Sequence, residues 1–246
     1  MTDLTAPLIL AIDTAQEDCA AALMRGTELV AQMVDTVGSR HSEHILPMIR
    51  DLLAEAHVEK TDLDLVAFGA GPGSFTGLRV ACGVAQGLAW ALEIKTAPVS
   101  NLEAQAEWLR AERRLAAGTV IAVLNDARMH ECYAGVWRVP ADPAARLEFV
   151  AGPEQVSPVD AAAYVERHGA SVVAGSAHKV YGDEMALPAE LFIVDEFHAR
   201  PAAICRIARH MALAGELVTP ELAHPVYVRN RVALTIAQRA AGERLQ

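Results

Sequence analysis

The sequence predicts an α/β protein in two halves, each opening on strands and continuing into helices. Three observations predict it. Residues 8–12, 65–68 and 119–124 are short apolar runs bounded by polar or turn residues, the pattern of buried strands. Residues 42–56 and 75–92 are long enough, and suitably patterned, for helices. Gly118 marks a restart, after which strands again precede helices. At about 150 residues per domain, 246 residues make between one and two domains. With 52% hydrophobic residues, the chain can bury a sizeable core.

The first run ends at Asp13-Thr14. Residues 19–24 form a second strand, Arg25-Gly26-Thr27 a turn, and residues 28–35 a third strand, completing an antiparallel meander. In 42–56, Ile45, Ile49, Leu52, Leu53 and Ala56 fall on one helical face, with Glu43, Arg50, Asp51 and Glu55 elsewhere. The strand at 65–68 leads through Gly69-Ala-Gly-Pro-Gly-Ser74 into the helix at 75–92. A strand at 96–99 follows, and Ser100 caps a helix to about residue 115. The second half reads as strands at 119–124, 131–139 and 147–150, with a turn at Pro140-Ala-Asp-Pro143. Ser157-Pro158 opens a helix to about 168, with proline in its first turn. Strands at 171–174 and 191–194 and a helix at 202–215 complete it. From Pro225 the chain reads as short extended structure and then an amphipathic tail. The expected division is 1–116 as the N-terminal lobe, 117–215 as the C-terminal lobe, and 216–246 as a segment able to return to the first lobe. No low-complexity linker separates the halves, so they should pack closely.

Lys and Arg number 21 against 31 Asp and Glu, a net charge of −10. Such a chain is a poor clamp for nucleic acid on its own, although a local basic patch survives that argument. Aromatics at 5% disfavour a base-stacking platform. Cys19, Cys82, Cys132 and Cys205 form no CxxC pair, which excludes a zinc ribbon and a thioredoxin-type site; four reduced, buried thiols are expected. Residues 1–7 carry no basic signal region, and the longest nearly apolar stretch, 80–92, is below the roughly 18 residues of a membrane span. A cytoplasmic protein without membrane contact is expected.

Several motifs carry chemistry. Asp13 ends a buried strand and precedes a hairpin, a shape that can hold a Mg-nucleotide; the same aspartate also suits a turn. The loop containing Gly71 and Gly73 lies between a strand and a helix start, where backbone N–H groups can cradle an anion. It matches neither GxGxxG nor GxxxxGK[ST], and a tight turn with glycine at positive φ explains it equally. In the helix that follows, Arg79 and Gln86 are the strongly polar side chains between 78 and 92, and Gly83 and Gly87 share one face. It is either a central core helix or a helix with one face on the core and another on a partner chain. His41 and His44 make an HxxH pair without a third ligand nearby and read as a solvated helix start. No serine, cysteine or lysine shows a nucleophile signature.

Leu8-Ile-Leu-Ala-Ile-Asp-Thr14, Gly71-Pro-Gly-Ser-Phe-Thr-Gly-Leu-Arg79 and Gly83-Val-Ala-Gln-Gly-Leu-Ala89 together resemble the TsaB (YeaZ) family. Asp126-Ala-Arg128 with Glu131 and Tyr133, and Pro225-Val-Tyr-Val-Arg-Asn230, extend the resemblance. It spans about residues 8–230 and is patchy between 140 and 220. It implies a two-lobed actin/hexokinase/Hsp70-like (ribonuclease H-like) fold, each lobe a mixed sheet with flanking helices. It also implies a role in forming N6-threonylcarbamoyladenosine next to the anticodon of tRNAs that read codons starting with A. The chain would be a non-catalytic partner of the related TsaD, with the ATPase TsaE, and would reach tRNA through that complex.

In TsaD-like proteins the stretch matching Val99-Ser-Asn-Leu-Glu-Ala-Gln105 carries an HxxxH pair that binds the catalytic metal. Here Asn101 and Gln105 stand in those places, and neutral amides are poor ligands for a transition metal. No catalytic or metal-binding residue is therefore assigned. The isolated chain should carry no cofactor, with ATP or ADP held only in the complex; Asp13, Gly71 and Gly73 are the candidates if the chain itself binds nucleotide. The resemblance places the partner interface on the helices at 42–56 and 75–92, through Ile45, Ile49, Leu52, Arg79, Gly83, Gln86 and Gly87. The same face could make a homodimer. The alternative is an active enzyme of this superfamily, an ATPase using Asp13 or a glycoprotease-like peptidase. Arg229, Arg231, Arg239 and Arg244 either face tRNA or an acidic partner, or form a solvated tail. The amides at 101 and 105 yield a direct prediction: elemental analysis of protein purified without chelator should find only substoichiometric zinc and iron, and one equivalent bound at these positions would refute it.

Overall fold

The computed structural model describes residues 6–195, 198 and 200–229. The first sheet contains β1 (Leu8–Asp13), β2 (Asp18–Arg25), β3 (Glu28–Thr36), β4 (Leu65–Gly71) and β5 (Lys95–Ser100), in the order β3-β2-β1-β4-β5. β1, β2 and β3 pair antiparallel; β4 and β5 add in parallel. Antiparallel neighbours need only a turn between them, such as that at Gly26, whereas successive parallel strands need a crossover. α1 (His41–Glu55) leads from β3 to β4, and α2 (Phe75–Leu92) from β4 to β5. α3 (Asn101–Arg113) then carries the chain into the second lobe.

The second sheet contains β6 (Val120–Asp126), β7 (Cys132–Arg138), β8 (Glu148–Val156), β9 (Val172–Ala174) and β10 (Phe192–Val194), in the order β10-β9-β6-β7-β8. Around it lie the short helices α4 (Ala161–Arg167) and α5 (Ala177–Tyr181). α6 (Pro201–Ala214) follows. Each sheet combines an antiparallel meander with parallel strands, so the two lobes repeat one plan.

Period-two alternation in β1 sorts the helices. Leu8, Leu10 and Ile12 face a cluster with Ile45, Ile49 and Leu52 of α1 and Ala81, Ala85 and Ala89 of α2. Ile9 and Ala11 face the opposite cluster, with Ala104 of α3 and Ile204, Cys205 and Ala208 of α6. α3 is shared: Leu102, Ala106 and Leu109 pack on Ile121, Val123 and Trp137 of the second sheet. Close packing of the lobes follows from this one helix.

Three features depart from the sequence reading. α6 falls within the range 117–215 assigned to the second lobe, yet it packs on the first sheet, because Ala203, Ile204, Ile207 and Ala208 complete the apolar cover of β1 and β2. β8 continues through Gly152-Pro153 to Val156; proline is tolerated there because β8 is an edge strand, and the register against β7 is irregular nearby. α5 and the 3-10 turn after it were not expected, since five residues are too few to display a helical period. All four cysteines are buried and free; burial pushes Cys19 up to about 11 and Cys132 up to about 12. No helix among the described residues is long and apolar enough to cross a membrane.

The glycines of α2 separate into two kinds. A Cβ at Gly77 would fall on the Thr14 carbonyl, whereas one at Gly83 or Gly87 would meet nothing within 4 Å. The Thr14 hydroxyl also donates to Gly77 O at 2.7 Å. Gly77→Ala should therefore cost about 2–3 kcal/mol of stability, because two backbone segments must separate. Gly83→Ala should be neutral or stabilising by up to about 1 kcal/mol. Urea unfolding of the two variants checks both signs.

Candidate functional site

Asp13 ends β1 with 1% of its surface exposed. Its Oδ1 accepts from Ala15 N at 3.1 Å and from Asn101 Nδ2 at 3.0 Å, and its Oδ2 accepts from Arg200 N at 3.3 Å. Burial raises its pKa, opposed by these hydrogen bonds. Asn101 Oδ1 in turn accepts from Gly71 N at 2.8 Å. The carboxylate is thus sealed by β4, α3 and the residue before α6. Asp13, the sequence's nucleotide candidate, serves here as an internal tie.

The glycine loop is closed in the same way. Ser74 N donates to Ala15 O at 2.8 Å, and the Ser74 side chain accepts from Gly77 N as the N-cap of α2. Gly71 has φ +123, and a Cβ there would lie 2.5 Å from Val226 O; one at Gly73 would lie 2.7 Å from Ala15 O. At Gly71 and Gly73, the sequence's other cofactor candidates, the absence of a side chain admits neighbouring backbone. Asn101 and the buried Gln105 lie in the first turns of α3. No three His, Cys, Asp or Glu side chains converge as a metal set among the described residues.

The helices at 42–56 and 75–92 divide the predicted interface. Ile45, Ile49 and Leu52 are buried at 4% exposure or less against the chain's own sheet, so they are core residues and not partner contacts. Gln86 is half-buried and donates to Pro220 O at 3.1 Å and Ala223 O at 2.8 Å, which corrects it to an internal clamp. Arg79, Gly83 and Gly87 are exposed, and at steps of four they make one stripe of α2. The stripe begins at Phe75 and ends at Trp90, 48% and 63% exposed. Leu46 of α1, on the adjacent helix, is 55% exposed. Sequence reasoning missed Leu46, Phe75 and Trp90. Their signal was an apolar residue opposite the buried face, visible only once that face is known.

Residues after α6 strap the first sheet. Val218 bridges to Thr96, and Val226 N donates to Ala70 O at 2.7 Å. Tyr227 then reaches the stripe: its hydroxyl accepts from Arg79 Nε at 3.0 Å, and the Arg79 guanidinium lies 3.8 Å over the Phe75 ring. Arg229 donates to Arg128 O at 3.2 Å in the β6–β7 loop, linking the lobes. Between them is a cleft of about 250 Å3 lined by Pro72, Phe75, Leu78, Tyr133, Tyr227 and Arg229. Asp126 accepts from Tyr181 OH at 2.7 Å and Arg128 N at 2.8 Å, so that motif shapes the loop beside the cleft; Glu131 N closes it by donating to Arg128 O. Arg231, Arg239 and Arg244, and the tail beyond 229, lie outside the described residues. The His41–His44 pair is at the start of α1, with His41 buried rather than solvated.

The comparisons with known proteins agree with this architecture. Residues 35–163 match the family model described as TsaD, tRNA N6-adenosine threonylcarbamoyltransferase. The chain is 35% identical over 237 residues to the tRNA threonylcarbamoyladenosine biosynthesis protein TsaB of Escherichia coli (strain K12), covering 92% of this chain and 96% of that one. TsaB of Bacillus subtilis (strain 168) is 34% identical over 130 residues, covering 53% of this chain and 55% of the relative. The solved YeaZ of Pseudomonas aeruginosa superposes with a TM-score of 0.77 at 31% identity, covering 90% of this chain and 99% of that one. The chain belongs to the TsaB (YeaZ) family and acts in tRNA threonylcarbamoyladenosine biosynthesis.

Proposed function

We propose that the chain is the non-catalytic partner of a TsaD-type threonylcarbamoyltransferase, docking through the outer stripe of α2 beside α1 and working with a TsaE-type ATPase. The observation that carries this reading is the stripe itself. Gly83 and Gly87 leave the α2 backbone open, so that a neighbouring helix can approach to about 8–10 Å, and the large apolar Trp90 and Leu46 stand exposed beside it. A sheet that already buries the other side of both helices has no further use for that face. The internal saturation of Asp13 and of the glycine loop supports the absence of chemistry in the chain alone. In this reading tRNA is reached through the assembly, and ATP or ADP is bound by the assembly rather than by the isolated chain. The protein works in the cytoplasm, where its tRNA substrate is.

Gly87→Arg and Trp90→Asp should each fold, since both positions are at the surface. Each places a charge in a contact that must desolvate, at a cost of about 2–5 kcal/mol in binding to the TsaD-type partner. Calorimetric titration measures this; parental affinity in both variants would move the interface elsewhere.

The free chain should also self-associate through this stripe, making homodimer and heterodimer mutually exclusive. Analytical ultracentrifugation should show the free chain dimeric, the Gly87→Arg variant monomeric, and the homodimer dissolving as partner is added. Higher-order species containing both contacts would contradict a shared face. ATP turnover by the isolated chain at an enzymatic rate would favour the alternative of a self-sufficient enzyme.

A further inference from the structure

The α1 segment, residues 41–64, carries six acidic side chains against two basic ones. The opposite side of the same sheet is different. α3, α6 and their flanking residues carry Arg110, Arg113, Arg114, Arg200, Arg206 and Arg209, and Arg146 joins them from the loop before β8. This is a concentration of arginine on one face of a chain with net charge −10.

The arrangement of the counter-charges gives the face its character. Glu107 Oε1 accepts from Arg110 Nη2 at 3.0 Å and from Arg206 Nε at 2.9 Å. Glu103 holds Arg146 through two bonds, at 2.6 and 2.8 Å. Both carboxylates are deep, with side chains 4% and 7% exposed, while Arg206 and Arg146 are 31% and 32% exposed. Glu103 and Glu107 therefore lie beneath the guanidinium groups of Arg146 and Arg206 that they hold in place, while Glu216, 52% exposed, takes Arg146 Nη1 at 2.9 Å at the rim of the face. Arg113 and Arg114, both exposed, extend the face at the end of α3. Arg209 is half-buried, and its Nε has no hydrogen-bond partner among the described residues. Beside it, burial and the charges of Arg209, Arg146 and Arg110 hold His210 below the ordinary imidazole range, against the pull of Glu107.

We propose that the α3–α6 face docks the phosphodiester backbone of tRNA, on the side of the first sheet opposite the α1–α2 partner face. Guanidinium groups fixed in orientation by buried carboxylates lose little freedom on meeting a phosphate, and each such contact releases a counterion. RNA is the favoured occupant because the chain acts in a tRNA modification pathway. The inference rests on the partner reading only for its claim that this side stays free in the assembly.

The test uses the full chain, alone and assembled with its TsaD-type partner, and a fluorescently labelled tRNA transcript titrated at several salt concentrations. Arg114→Glu/Arg209→Glu should weaken binding at least about tenfold and flatten the log–log salt dependence by about two, one for each lost phosphate contact. Arg113→Gln/Arg114→Gln, at exposed positions, guards against a folding defect and should weaken binding in the same direction. Arg50→Glu, on the α1 side, should leave affinity unchanged. Parental affinity and slope in both α3–α6 variants would overturn the proposal, as would the absence of tRNA binding by both chain and assembly. Equal competition by a DNA duplex of matched length would overturn the assignment to RNA. Trp90→Asp separates the two readings: it should weaken assembly at least about thirtyfold while the chain keeps its own tRNA affinity. An intact assembly in that variant would refute the partner reading alone.

Discussion

The Asp13 carboxylate accepts hydrogen bonds from Ala15 N, Asn101 Nδ2 and Arg200 N, and Asn101 passes the connection on to Gly71 N. Both helices through which the chain passes between the sheets begin at this point, α3 at Asn101 and α6 just after Arg200. A buried carboxylate is tolerated only when its lone pairs are satisfied, so the positions of β1, β4, α3 and α6 are mutually constrained. Asn101 closes the lobe junction by bonding both Asp13 and Gly71.

The joint also sets what the two sides of the first sheet can do. α1 and α2 cover one side, α3 and α6 the other, because β1 alternates Leu8, Leu10 and Ile12 against Ile9 and Ala11. The first pair of helices presents small residues, an exposed tryptophan and acidic flanks. The second presents arginines above buried glutamates. The strap of residues 217–229 passes from the β5 edge to Arg79 and on to the β6–β7 loop. The exposed stripe of α2, the cleft and the second lobe are therefore in one hydrogen-bonded path.

Much of the architecture is legible without coordinates. The α2 boundaries at 75 and 92 follow from the Ser74 cap and the apolar run, and the Ser100 cap of α3 accepts from Glu103 N as its residue type suggests. The meander at residues 8–36 follows from apolar runs and a glycine turn. The exposed faces of α1 and α2 were only half legible. An amphipathic helix shows which residues are apolar, yet Ile45 and Leu46 are equally apolar, and only the sheet decides that the first is core and the second is surface.

By itself, the sequence determined the elements and the two-lobed plan, since caps, periodicity and residue chemistry are local. Only the tertiary structure decided the fate of Asp13, Gly71 and Gly73, of α6, of Gln86 and of the arginine face. In each case the deciding partner is distant in the chain: Arg200 for Asp13, Val226 for Gly71, Pro220 and Ala223 for Gln86, Glu107 for Arg206. Whether a polar group is a ligand or a tie depends on which neighbours have already satisfied it, and long-range packing sets those neighbours.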